Sequence, residues 1–253
     1  AGNCINCLFS LLFVNHLQDP VGFRHVTGFN LRITDQFPRE RGTQDLIGFK
    51  SYFHLPSGAV QAIAGHIELA MFDGGYAGLQ LAGANRANLS LLVTQKRFAA
   101  AGQDWFRLLD EIGAENALLG ARLAGALPET DRPLAIFRLP FGFRHHPDGS
   151  AHIFRLGDQV ACMPSFAGDG MSIALHSAAL ATQAYLADRP ADAYHHRMRR
   201  DLAGQFVWGR LLSCVIGTRT GRHLLMGAAT ALPAMLPTLA RRTRLPHLAP
   251  LIQ

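Results

Sequence analysis

The 253-residue chain predicts a mixed α/β (α+β) protein in which an antiparallel sheet precedes a helical C-terminal part, and three features carry that expectation. Short apolar runs between 45 and 93 are punctuated by Gly and Asn. The period then changes to that of helices over Gln103–Leu127, and a long Ala/Leu-rich segment follows Gly170.

Leu46–His54 and Ile63–Phe72 read as strands, and Asp73-Gly74-Gly75 between Phe72 and Tyr76 is a strong turn signal. Tyr76–Leu81 and Ala87–Val93 continue what reads as an antiparallel meander. Trp105, Leu108, Leu109, Ile112, Ala117, Leu118 and Leu119 recur at helical spacing, predicting two helices. Leu134–Phe143 and Ala151–Leu156 return to strand character around the polar turn His145–Gly149. A helix is expected from Gly170 to about Leu186, a second from about Ala191 to Val215, and an amphipathic, partly helical tail beyond Gly221. The expected divisions are 1–44, an unassigned segment; 45–143, the sheet domain with helices; 144–188, a strand–loop–helix; and 189–253, a basic helical tail.

Composition narrows the function classes. With 49% hydrophobic residues the chain can bury a sizeable core, which excludes disorder. The net charge of +6 is concentrated at the end: from Arg189 onward there are ten Arg against only Asp192 and Asp201. A basic tail on a slightly acidic body argues against nucleic-acid binding and suits an anionic membrane surface better. Cys4 and Cys7 form a lone CxxC without further ligands at metal spacing, so no metal site is expected. Sparse cysteine fits a reducing, cytoplasmic compartment. No segment reads as a signal peptide or a comfortable transmembrane span, since Pro233 and Pro237 interrupt Leu224–Ala240.

The segment Arg155-Leu156-Gly157-Asp158, followed by Pro164 and then Gly168-Asp169-Gly170-Met171-Ser172, holds the clearest chemistry. An expected strand delivers Asp158 at its C-terminal end, where a carboxylate can accept bonds from ligand hydroxyls. Glycines at 168 and 170 let backbone approach a flat or anionic ligand, and the helix start favours negative charge. An ordinary crossover, with glycine used for turning and Asp169 for capping, explains the spacing about as well.

This segment resembles the second flavin motif of the FAD-dependent oxidoreductase superfamily of aromatic hydroxylases, geranylgeranyl reductases and flavin halogenases. The resemblance implies a partial FAD-binding Rossmann-like domain with an inserted antiparallel β-sheet substrate domain and C-terminal helices. It implies FAD as cofactor, with NAD(P)H as a candidate electron donor. Carried over, Gly157 and Asp158 would hold the ribityl chain and Pro164 would line the ring. Gly168, Asp169, Gly170 and Met171 would form the turn facing the pyrimidine edge. Gly74–Leu81 and Ala87-Asn88-Leu89-Ser90 are similar to strands of the geranylgeranyl reductase and halogenase branch that sit over the flavin. Gly78 and Leu81 stand where that branch has Trp and Pro, and Ala161 and Ser172 where hydroxylases have His and Asn. No GxGxxG occurs in residues 1–44, where the family's ADP-binding loop belongs. The implied alternatives are a truncated chain or a homologue without autonomous FAD binding.

Lys50 is the candidate catalytic residue. By alternation it shares a face with Gly48 and Tyr52, and could meet an anionic substrate or a peroxide oxygen. Exposure statistics favour a solvent-facing lysine instead. His145, His146, His195 and His196 are expected on surface turns, His176 in packing or capping, and Arg138 facing substrate at most. The functional expectation is an FAD-dependent oxidoreductase, of reductase or monooxygenase type, acting on a hydrophobic small molecule. The competing expectation is a non-catalytic remnant or lipid-binding scaffold without cofactor.

Overall fold

The computed structural model describes residues 45–137, 139–147, 149, 152–164, 166 and 169–245. Cys4, Cys7, Arg138 and Gly168 lie outside the described residues. Contacts divide the described chain into two units, 45–139 with 216–222, and 140–215 with 223–245.

The first unit is an antiparallel sheet with helices on one face. Its strands are β1 (Leu46–His54), β2 (Glu68–Phe72), β3 (Gly75–Leu81), β4 (Arg86–Thr94), β5 (Leu127–Pro128) and β6 (Leu134–Phe137). The order is β2-β3-β4-β1-β5, with β6 also pairing β1. Alternation sorts the side chains: Ile47, Phe49 and Phe53 of β1, Ala77 and Leu79 of β3, and Leu89, Leu91 and Val93 of β4 are all buried in one core. Against it pack α1 (Ser57–Ile63), α2 (Gln95–Ala100), α3 (Trp105–Glu115) and α4 (Ala117–Leu123). Phe49 anchors the layer, with the Phe98 ring at 4.9 Å and the Trp105 ring at 5.2 Å.

The expected strand from Ile63 is corrected by this arrangement. Ile63 ends helix α1, which starts after Pro56, and Gly65 at φ +79° turns the chain before β2 begins. The Asp73-Gly74 turn is observed as a two-residue hairpin loop, with Gly74 at φ +78°. The two helices expected over Gln103–Leu127 are α3 and α4. Each is capped by the residue before it: Asp104 accepts from Arg107 N–H at 2.8 Å, and Asn116 from Leu119 N–H at 3.1 Å.

The second unit holds a short ladder of β7 (Phe143–Arg144) with β8 (Ala161–Cys162), then α5 (Gly170–Leu186), α6 (Ala191–Asp201), α7 (Ala203–Ile216), α8 (Arg219–Ala231) and α9 (Met235–Arg242). Residues 216–222, spanning the end of α7 and the start of α8, group with the first unit. Ile173, Leu180, Tyr194, Met198, Leu202 and Phe206 form the second core with Val160 and Met163. The single helix expected over Ala191–Val215 is interrupted at Leu202.

Two strand expectations fail here. Leu134–Phe143 does not run continuously: β6 ends at Phe137, and a turn with Gly142 at φ +87° precedes β7. Residues 152–156 form no ladder, only an isolated bridge at Arg155. Side chains of α6 take the place of a neighbouring strand, because Arg155 N–H donates to His195 Nε2 at 3.3 Å and Arg155 C=O accepts from Tyr194 Oη at 2.6 Å.

Candidate functional site

Asp158 is presented by a tight turn rather than a strand end. Gly157–Gln159 forms one turn of 3₁₀ helix, with Gly157 at φ +54°, a conformation that favours glycine. Gly157 N–H donates to Ser177 Oγ at 3.0 Å, and that hydroxyl donates to Ala174 C=O at 2.8 Å. A Cβ on Gly157 would touch the Ala174 Cβ at 3.6 Å. The turn is thus fastened to α5 about one to two helical turns from its start. Gly157 and Gln159 are buried, whereas Asp158 between them is half-buried.

Among the remaining motif residues, Pro164 is half-buried just after β8, and Asp169 is the residue preceding α5. Its main-chain oxygen accepts from Ile173 N–H at 2.9 Å. Its carboxylate does not cap the helix; one oxygen accepts from Leu245 N–H at 2.8 Å. Burial drives the proton affinity of Asp169 above the ordinary carboxylate value, outweighing the Ser172 hydroxyl, the Leu245 N–H and the charges of Arg244 and His176. Gly170 opens α5 with nothing within 4 Å of where a Cβ would sit, and Met171 beside it is exposed.

These residues could hold one end of a flavin. Open space over Gly170, a helix start not capped by Asp169, and a half-buried carboxylate on a turn fixed to the same helix form a setting for an electron-rich ring edge and a polyol chain.

His176 lies buried in α5, with Nε2 2.9 Å from Asp201 Oδ2 on α6. The expectation of surface positions fails for two other histidines. His195 is fully buried and His145 nearly so, with ring centroids 4.6 Å apart, because α6 closes over the segment that holds Arg155.

In the first unit Lys50 is only 5% exposed, which corrects the solvent-facing expectation. Strand position gives it neighbours on both sides. β1 pairs β4 along its length on one side, and β5 and β6 on the other, so it is an interior strand. Sequence reasoning did not select Gln80, Asn88 and Ser90 as site residues, although all three are buried on the Lys50 face of the sheet. The available signal was polar residues at alternate positions inside otherwise apolar strands.

No family model and no curated protein matches the sequence. Solved structures do match in shape. The flavin-dependent brominase Bmp2 aligns at a TM-score of 0.56 and 12% identity, covering 78% of this chain and 50% of that one. The flavin-dependent halogenase CmlS aligns at 0.54 and 15% identity, covering 73% and 34%. PqsL, a probable FAD-dependent monooxygenase from Pseudomonas aeruginosa, aligns at 0.51 and 19% identity, covering 79% and 56%. The chain therefore spans between about a third and just over half the length of these proteins. The chain shares the fold of part of the flavin-dependent halogenases and monooxygenases.

Proposed function

We propose that this chain serves an FAD-dependent oxidoreductase, of reductase or monooxygenase type, acting on a hydrophobic small molecule. The observation that carries the reading is the bond from Gly157 N–H to Ser177 Oγ, which holds Asp158 close to the open start of α5. Asp158 would accept bonds from ribityl hydroxyls, and Pro164 would lie along the ring. The N–H groups at Gly170 and Met171 would face the pyrimidine edge and favour negative charge there. Asp169 would act as a positioning residue, since its carboxylate holds Leu245 and its carbonyl belongs to the helix. FAD, when bound, would carry electrons from a donor such as NAD(P)H to substrate or oxygen. The likeness of Gly74–Leu81 and Ala87–Ser90 to the geranylgeranyl reductase and halogenase strands supports a substrate platform on the sheet.

Titrating the chain with FAD while following flavin fluorescence tests this reading. Saturable quenching at micromolar FAD is expected, weakened at least about tenfold by Asp158→Ala. Absence of quenching, or an unchanged affinity in the variant, would count against it.

We also propose peripheral contact with an anionic membrane through the tail. No acidic residue follows Asp201. Neither α8 nor α9 has a buried residue, and Leu224, Met226, Leu232 and Leu236 are exposed alongside Arg241 and Arg242. That pairing of apolar and basic surface suits a lipid interface. Among the described residues no helix is long and apolar enough to cross a membrane.

A further inference from the structure

The sheet face opposite the helices can be read row by row from the strand register. Its middle row runs Leu134, Lys50, Ser90, Gly78, Leu69. One neighbouring row is Tyr52, Asn88, Gln80, and the other is Ile136, Gly48, Leu92, Tyr76, Met71. An ammonium, two carboxamides and a hydroxyl therefore meet at the centre of the sheet, with apolar side chains around them.

These central groups are buried and poorly satisfied. Lys50, Gln80, Asn88 and Ser90 are 5%, 3%, 0% and 6% exposed. A single hydrogen bond joins them, from Asn88 Nδ2 to Ser90 Oγ at 3.1 Å. Asn88 Oδ1 has no partner, and neither amide atom of Gln80 has one, although Gln80 and Asn88 are directly opposed in the ladder. The Lys50 ammonium stands 5.0 Å from the centroid of the Tyr52 ring, and no carboxylate among the described residues pairs with it. Buried amides in native proteins nearly always have partners, and a buried ammonium needs an opposing charge. A ligand that supplies a negative charge and several hydrogen-bonding atoms would satisfy these groups together. Gly48 and Gly78 add no side chain to the face beside Lys50.

We propose that Lys50, Gln80 and Asn88 form the recognition site for a small apolar carboxylate. Lys50 meets the carboxylate charge, the Gln80 and Asn88 amides bond the polar atoms beside it, and Leu92, Tyr76 and Ile136 contact the apolar body. The site deepens the oxidoreductase reading by naming its substrate class, and rests on that reading for the fate of the ligand but not for its binding.

Isothermal titration of the full chain without flavin tests the site, using benzoate and 2-naphthoate, each against its neutral amide. At least one carboxylate is expected to bind saturably and about tenfold or more tighter than its amide. Lys50→Met should abolish that preference. Gln80→Leu should weaken carboxylate binding several-fold while raising the thermal midpoint, because it removes an unpaired buried amide. Equal binding of acid and amide, no binding of either acid, or a preference that survives Lys50→Met would overturn the proposal. So would Gln80→Leu lowering the midpoint with unchanged affinity, which would make the amide structural. A chain that takes a carboxylate but not FAD would sink the redox reading alone, and the reverse pattern would sink this inference alone.

Discussion

The carboxylate of Asp169 accepts the main-chain N–H of Leu245 at 2.8 Å, fastening the stretch after α9 to the start of α5. Leu245 also packs against the second core. Burial raises the proton affinity of Asp169 above its ordinary value. Between the unfolded and folded pKa values, the native state keeps a proton that the unfolded chain releases, so stability falls as pH rises through that window. Asp169→Asn retains an acceptor for Leu245 and removes the charged form. Urea unfolding from about pH 4 to pH 7 should show the fall in the parent chain, its loss in the variant, and a more stable variant at neutral pH. A variant less stable at every pH would contradict this account.

The contact between α3 and α4 depends on two glycines. A Cβ at Gly120 would lie 2.6 Å from the Gly113 carbonyl oxygen, a backbone atom that cannot swing aside. Gly120→Ala should destabilise the chain by about 1–3 kcal/mol in urea unfolding. Gly113→Ala should cost less, since the nearest atom to its added methyl is the Gly120 Cα at 3.2 Å.

Tyr194 should be indispensable to the approach to Asp158. Its buried hydroxyl donates to Arg155 C=O at 2.6 Å, and burial pushes the phenol's pKa well above normal, keeping it a donor. Tyr194→Phe removes that donor and should cost about 1–3 kcal/mol of stability, seen as a lowered unfolding midpoint. FAD affinity should fall as well, because the segment feeding the Gly157 turn loses its anchor. An unchanged midpoint would show that another donor replaces the hydroxyl.

The tail proposal is checked by co-sedimentation with vesicles. Binding is expected to phosphatidylglycerol-containing vesicles and not to pure phosphatidylcholine, and should weaken as salt rises. Replacing Arg241 and Arg242 together by Glu should reduce it. Equal binding to both vesicle types would remove the electrostatic part of the argument, and no binding would end it.

Local periodicity made much of the architecture legible. β1, β3 and β4, the Asp73-Gly74 hairpin, the α3–α4 pair and the start of α5 at Gly170 all follow patterns contained within ten or so residues. The segment 152–156 has comparable strand character but lacks a neighbouring strand, and α6 satisfies its backbone from 40 residues away in the sequence. Its fate was not written in its own residues.

The same division runs through the candidate site. The sequence alone determined the order of the Gly157-Asp158 and Gly170 elements and the alternation that places Lys50 beside Gly48 and Tyr52 on one face, because those depend on chain geometry over a few residues. Only the tertiary structure decided that Lys50 is buried, that the His145 ring meets the His195 ring edge-on, that Asp169 turns to Leu245, and that the Gln80 amide and the Asn88 carbonyl oxygen stand unpartnered on the Lys50 face. Burial and satisfaction are set by what distant segments bring to a side chain: β4 and β6 to Lys50, α6 to Arg155, and Leu245 to Asp169.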